Sequence, residues 1–227
     1  MDMHMVSCGW ILELSVKMYN WESLEAFFSY LNSNVRYAVL RNYEDLSLEI
    51  SSSSHPDIDL LCEDAKKLIR VARSEQRGKK SRHLAHQKIM ISNKVIALDV
   101  RATGDGYYDA RWEEAMLETR ILKDGMYVLE HTEYFYSLLY HVLIQKPEVS
   151  DEYFKRLMKM AEDCNISVDK NSLLPCLESY MRKNGYYYTY PASCATRFFV
   201  DKVDDSLIEK NLYKYMKRKI WKRVYHR

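Results

Sequence analysis

Asp57 and Asp59, one residue apart, open a run that is otherwise apolar: Ile58, Leu60, Leu61 and Cys62. In an extended strand residues i and i+2 point to the same side, so the two carboxylates project together while Ile58 and Leu60 face the other way. Carboxylates held side by side repel unless a cation lies between them. An all-oxygen ligand set selects a hard cation, Mg²⁺ or Mn²⁺, which retains waters and accepts substrate phosphates as further ligands. A third carboxylate, Asp99, closes a later β-prone run, and pairing of that run with the first would set it beside Asp57 and Asp59. Three acids could then hold two ions. Two ions activate an attacking hydroxyl, bridge phosphates and stabilise the leaving oxygen, which is what phosphoryl or nucleotidyl transfer requires. Arg101 follows Asp99 by two and shares its face, where a guanidinium can take a phosphate bidentately. An Asp-x-Asp pair alone is common and reads as a solvated strand end. The preceding strand and turn, the apolar continuation and the downstream apolar-Asp-apolar-Arg run together favour a metal site.

Such a site needs strands, and the apolar spacing supplies them. Residues 35–40 are compact, β-prone and preceded by Asn32, Ser33 and Asn34, which predicts a buried strand. A polar loop containing Ser51, Ser52, Ser53 and Ser54, then His55 and Pro56, leads into a second strand over 57–62. Residues 88–92 and 94–101 read as two strands around a hairpin-like break at Ser92-Asn93. Helical spacing marks 63–73 through Ala65, Leu68, Ile69 and Ala72. The charged stretch 74–81, with Gly78, reads as a mobile connection. Ahead of the first strand, 10–19 and 21–31 have helical periodicity, the latter in Trp21, Leu24, Phe27, Phe28 and Leu31. Gly104-Asp105-Gly106 is read as the end of the strand region. Beyond it the spacing predicts helices over 111–118, 132–145, 150–163 and 172–183. Ser150 is the expected N-cap of the third, with Asp151 and Glu152 at the positive end of its dipole, and Asn184-Gly185 the expected stop of the last.

With 227 residues, 47% of them hydrophobic, the chain can form one domain with a real core, or a small α/β core with an appended helical part. Its formal net charge of +2 conceals an asymmetry. Lys214, Lys217, Arg218, Lys219, Lys222, Arg223 and Arg227 lie in a terminal stretch without acids, which leaves the rest of the chain net negative. Five cysteines, Cys8, Cys62, Cys164, Cys176 and Cys194, are odd in number and form no CxxC pair, which suggests free thiols in a reduced compartment. None has metal-site spacing with the histidines, which argues against zinc. The start lacks a basic region, and Glu13 and Lys17 interrupt its apolar residues. Neither a signal peptide nor a membrane span is expected, and a soluble, cytoplasmic protein is.

Strand Tyr37-Ala38-Val39-Leu40, turn Arg41-Asn42-Tyr43, then Asp57-Ile58-Asp59-Leu60-Leu61 and Ala97-Leu98-Asp99-Val100-Arg101 together resemble the DNA polymerase β-type nucleotidyltransferase superfamily. The likeness is nearest to small bacterial nucleotidyltransferases encoded among surface-polysaccharide genes. It covers residues 35–110, and the later helical part is similar only in general layout. The resemblance implies an α/β (α+β) fold: a nucleotidyltransferase-like mixed-sheet core flanked by helices over 1–110, followed by a helical C-terminal lobe over 111–227, with substrate in the cleft between them. It implies that Asp57 and Asp59 are the metal-ligand pair for Mg²⁺ or Mn²⁺. Asp99 would be the third carboxylate, helping to deprotonate the acceptor hydroxyl. The chain departs from the superfamily at the turn after the first strand, where Gly-Ser usually grips the triphosphate and Arg41-Asn42 stands here. Asn42 can still donate a hydrogen bond and Arg41 can offer charge, while the glycine's close backbone approach is lost. Arg41, Asn42 and Arg101 are the candidate phosphate-binding residues.

The expected reaction is Mg²⁺-dependent transfer of a nucleoside monophosphate, or a related phosphoryl group, from a nucleoside triphosphate to a hydroxyl of a small molecule or glycan intermediate. The glycan part rests on the resemblance alone. Two rivals remain open: a toxin/antitoxin-type nucleotidyltransferase acting on protein or tRNA, suggested by the basic tail, and a non-catalytic nucleotide-binding scaffold, suggested by the missing Gly-Ser turn. The tail spaces Leu212, Met216, Ile220 and Val224 four apart among cations and aromatics. It reads as a solvated terminal helix, or as a peripheral contact with the inner membrane face or a polyanion. His55 reads as a solvated loop residue or a phosphate or metal contact, and His141 and Lys146 as helix surface or cleft lining. Gly104 to Asp109 offers either a tight turn with tyrosines packed on the core or further carboxylates and aromatic faces for a base or sugar.

Overall fold

One mixed sheet of eight strands organises the chain, and the pattern of apolar and polar residues along its central strands decides what each face meets. The computed structural model describes residues 18–78, 84–193, 196–211, 213–216 and 219–220. The first half comprises β1 (Asn20–Trp21), α1 (Leu24–Asn34), β2 (Tyr37–Val39), α2 (Leu46–Ser52), β3 (Asp57–Cys62), α3 (Ala65–Val71), β4 (Glu75–Gln76), β5 (His86–Ile91) and β6 (Lys94–Ala102). The second comprises α4 (Ala110–Thr119), β7 (Ile121–Lys123), β8 (Met126–Val128), α5 (His131–Tyr140), a π-helical segment (His141–Gln145), α6 (Asp151–Asp163) and α7 (Leu173–Asn184). The strand order is β1-β5-β6-β3-β2-β8-β7, with β4 paired to β5.

At the centre β3 and β6 run parallel, β2 pairs antiparallel with β3, and β5 pairs antiparallel with β6. Ser92 and Asn93 both have positive φ, 49° and 65°, the conformation a two-residue primed hairpin turn needs. Ile58, Leu60, Ile96, Leu98, Ile89 and Ile91 are buried on one face and share a core with Phe27, Phe28 and Leu31 of α1 and Leu68 of α3. Burying each such side chain contributes about 1.5–3 kcal/mol. The aromatic residues of the second half form another part of this core. Trp112 stacks on Tyr186 with centroids 5.5 Å apart and meets Tyr108, Tyr140 and Tyr180 edge-on or tilted.

Several expectations change. Trp21 belongs to a strand, not a helix: Ser23 caps α1 by accepting from the Ala26 N–H at 3.1 Å, and the buried Trp21 indole donates to the Ala72 carbonyl. The expected helix over 10–19 lies, for 10–17, outside the described residues, and Tyr19 is not helical. Leu46–Ser52 is helical where a polar loop was expected, with Ser51 and Ser52 donating back to the Leu48 carbonyl. Within the expected mobile connection, Glu75–Gln76 pair with Gln87 and Lys88. Gly104-Asp105-Gly106 does not end the strand region, because β7 and β8 follow and β8 lies parallel to β2 at Val39↔Val128. Asp124-Gly125, with φ of 49° and 81°, makes their turn. Helix α5 gives way to the π-helical segment after Tyr140 instead of running on to Gln145. Ser150 caps α6 and Gly185 ends α7 at φ 68°, as expected.

Candidate functional site

Parallel registration of β3 with β6 sets Asp59 beside Asp99 and Leu61 beside Arg101, and strand alternation puts Asp57, Asp59, Asp99 and Arg101 on one face. Antiparallel β5 adds His86, directly opposite Asp99. These residues line a cleft of about 480 Å³ together with Arg41, Asn42, Tyr107, His141, Gln145, Lys146, Tyr153, Thr196 and Arg197. The last two reach it because the Phe199 N–H donates to the Ile144 carbonyl at 2.7 Å, which anchors their segment to the π-helical one.

The three carboxylates have different surroundings. Arg41 Nε donates to Asp59 Oδ2 at 2.7 Å, with both side chains about nine-tenths buried, and its Nη2 donates to the Tyr107 hydroxyl at 3.2 Å. Burial alone would raise Asp59, but the charge and hydrogen bond of Arg41, followed by His141 and Arg101, hold its carboxyl below the usual range. Burial would likewise lower Arg41, and Asp59 keeps its guanidinium protonated. Asp99 Oδ1 meets His86 Nδ1 at 3.1 Å and Arg77 Nη2 at 3.3 Å. Asp57 has neither a hydrogen bond nor an ion pair among the described residues. Burial, then the charges of Asp59, Glu49 and Asp99, push its carboxyl up to about 6.

No three histidine, cysteine, aspartate or glutamate side chains among the described residues converge into a ready-made metal cage. The donors fit Mg²⁺ in its more usual manner, in which one or two carboxylates bind and waters and substrate phosphates complete the shell. Asp57 supplies such a donor, and Asp59 and Asp99 each keep one oxygen without a hydrogen bond among the described residues.

His141 Nδ1 lies 2.8 Å from Gln145 Oε1 and 3.4 Å from the Tyr107 hydroxyl. Because Oε1 can only accept, Nδ1 carries the proton and Nε2 keeps its lone pair. Burial, then Arg41, lowers this imidazole to about 3, so it is neutral at pH 7. Arg101 lies with its guanidinium carbon 4.2 Å from the Tyr107 ring centroid, is 7% exposed and has no carboxylate partner among the described residues.

The Arg41-Asn42 turn is more committed than its sequence suggests. Asn42 takes φ 59°, a conformation asparagine tolerates better than most residues, so the chain turns there without glycine. Its backbone N–H donates to the Tyr134 hydroxyl at 3.2 Å and its Oδ1 accepts from Arg156 at 2.7 Å, leaving its side-chain amide as the donor still open to a ligand. Arg41 is spent on Asp59. The Gly104 to Asp109 segment is structural: buried Glu113 accepts the N–H groups of Gly104 and Tyr108, Asp105 accepts that of Tyr107, and Asp109 caps α4. It also delivers Tyr107 to the cleft. His55 is exposed and does not line the cleft, whereas His141 and Lys146 do.

Sequence reasoning missed His86, Gln145 and Arg197, whereas Tyr107 lay in the Gly104 to Asp109 segment it offered as a source of aromatic faces. A β5 start two residues earlier would have put His86 opposite Asp99, but nothing in the spacing announces the widened turn that brings in Gln145. Of the basic tail, 213–216 and 219–220 are helical, Lys214 pairs with Glu209 at 3.1 Å, and the other tail positions lie outside the described residues. Among the described residues no helix is long and apolar enough to cross a membrane. Cys62, Cys164 and Cys176 are free thiols, and Cys8 and Cys194 lie outside the described residues. Comparison with protein-family models, curated proteins and solved structures finds no match.

Proposed function

We propose that the chain is a Mg²⁺-dependent nucleotidyltransferase of the polymerase β type, moving a nucleoside monophosphate from a nucleoside triphosphate to a hydroxyl of a small molecule or glycan intermediate. The observation that carries this reading is the placement of Asp57, Asp59 and Asp99 on one sheet face, in a cleft that also presents Arg101, Lys146 and Arg197. Acids, and cations without a carboxylate partner among the described residues, in one cleft match a ligand made of phosphates and a divalent cation. When bound, Mg²⁺ (or Mn²⁺) would neutralise phosphate charge and lower the barrier to displacement at the α-phosphorus.

Asp57, with Asp59 and Asp99, would hold the cation, and Arg41 fixes Asp59 in place. Arg101, stacked on Tyr107, takes phosphate oxygens, and the Asn42 amide donates to the nucleotide. Asp99 accepts the hydroxyl proton through the oxygen that His86 and Arg77 leave free. The acceptor oxygen bonds to the α-phosphorus, the bond to the bridging oxygen breaks, and pyrophosphate leaves.

A second reading, a non-catalytic nucleotide binder, is favoured by one observation: Asp59 and Asp99 already have cationic partners within the chain. Calorimetry with ATP, CTP, GTP and UTP, each with and without Mg²⁺, separates the two. The transferase reading expects Mg²⁺-dependent binding of at least one triphosphate, lost in Asp57→Asn/Asp59→Asn. Binding that ignores Mg²⁺ supports the scaffold, and no binding of any triphosphate contradicts both.

A further inference from the structure

Two buried donors of cleft-lining residues have no hydrogen-bond acceptor among the described residues. Arg101 is 7% exposed and Gln145 is 5% exposed, yet among the described residues Arg101 Nε and Gln145 Nε2 have no hydrogen-bond partner. A buried donor left without an acceptor is costly, more so when charged, so two in one cleft call for an explanation. They arrive from opposite parts of the fold. Arg101 is near the end of β6, its guanidinium carbon over the Tyr107 ring, while Gln145 closes the π-helical segment. Single π turns inside helices recur at functional sites, where they turn a side chain that a regular helix would direct elsewhere.

Gln145 is held in place by its other atom: Oε1 accepts from His141 Nδ1, so the amino group is the end left over. Next to it Lys146 is half-buried and without a carboxylate partner among the described residues, its Nζ 5.9 Å from the Tyr153 ring centroid. The cleft thus gathers a guanidinium, an amide N–H and an ammonium, all donors. A planar fork plus point charge plus neutral donor is the set that recognises a tetrahedral oxyanion.

We propose that Arg101, Gln145 and Lys146 form a phosphate subsite that binds a phosphoryl or pyrophosphoryl group without a divalent cation. It rests on the reading of this cleft as a phosphate site, in which Arg101 already takes phosphate oxygens, and extends it with Gln145 and Lys146, donors that need no metal. It also supplies what the Arg41-Asn42 turn lacks, since Arg41 is bonded to Asp59 and the Asn42 backbone N–H to Tyr134.

The test is calorimetry of the full chain with inorganic pyrophosphate and with orthophosphate in buffer containing EDTA. Saturable pyrophosphate binding is expected. Gln145→Glu keeps the oxygen that His141 needs while replacing the donor by a charge, and should weaken binding by about tenfold or more. Arg101→Lys keeps the charge and loses the fork, with a similar loss, and Lys146→Ala should also weaken binding. If Arg101→Lys fails to fold on thermal unfolding, the other two variants decide. ATP added to the pyrophosphate-saturated protein assigns the source of the phosphate: displacement means the nucleotide's own terminal phosphates, and simultaneous binding means a phosphorylated acceptor. No pyrophosphate binding in EDTA, or equal binding by the wild type and all folded variants, overturns the proposal. The Mg²⁺-dependence of triphosphate binding stays readable either way, so failure of the subsite and failure of the transferase reading are distinguishable.

Discussion

Asp57 and Asp59 sit two residues apart, yet they answer to opposite forces. Asp59 is ionised because Arg41 faces it, and this buried pair is expected to punish removal of one member only: Arg41→Met should cost about 3–5 kcal/mol by leaving a buried carboxylate alone. Arg41→Met/Asp59→Asn should recover part of that loss, and urea denaturation of the three proteins checks it. The folded carboxyl of Asp59 lies below its ordinary value, so its stabilising contribution is full above about pH 4 and fades as pH falls through the lower folded value. Asp57 has the reverse sign. Its carboxyl is raised from 3.8 to about 6, so ionisation costs nothing below 3.8, increasingly destabilises the metal-free fold between 3.8 and 6, and costs fully above that. Asp57→Asn should therefore raise the melting temperature at pH 8 by about 2–4 °C, as expected for ~1 kcal/mol after screening of a half-exposed group, and leave it nearly unchanged at pH 4. An equal shift at both pH values would contradict the electrostatic account. The acidic residues were legible in the sequence because strand period alone aligns 57 with 59 and 99 with 101. Their partners were not, because Arg41 to Asp59, and His86 and Arg77 to Asp99, depend on register and loop path.

Strand registration is what turns scattered acids into a cleft, and a few turns enforce it. Gly106 has φ +77°, and a Cβ there would lie 2.4 Å from the Tyr190 carbonyl oxygen, whereas Gly104, at φ +84°, has nothing within 4 Å. Gly106→Ala should thus lower the melting temperature clearly more than Gly104→Ala, whose cost is limited to the about 1–2 kcal/mol of a left-handed alanine. Equal losses would mean that the packing of 190–191 on this turn contributes little. Among the elements, the strands over 37–39, 57–62 and 94–102 and the caps at Ser150 and Gly185 follow from local chemistry. The β7–β8 hairpin carried a readable signal too, Asp124-Gly125 between short apolar runs, which the preference for helix downstream of Gly106 obscured. Strand β1 was unreadable, because two residues become a strand only when β5 offers an edge.

Over the whole molecule the sheet takes strands from both sides of residue 110, with β8 beside β2 and Trp112, Met116 and Leu117 of α4 in the shared core. A fragment of residues 1–110 is therefore expected not to fold. Two-dimensional amide NMR spectra should show collapsed dispersion, and a native-like spectrum would mean that the first part is autonomous. The cleft joins residues from β3, β5, β6, the π-helical segment and the 196–197 segment, so its chemistry is a property of the assembled chain. The most direct test of that chemistry is electron paramagnetic resonance of Mn²⁺ titrated into the protein with and without a nucleoside triphosphate. The account predicts Mn²⁺ bound tightly only with nucleotide present, and lost in Asp57→Asn/Asp59→Asn and in Asp99→Asn. Nucleotide-independent binding, or binding that survives those substitutions, would contradict it.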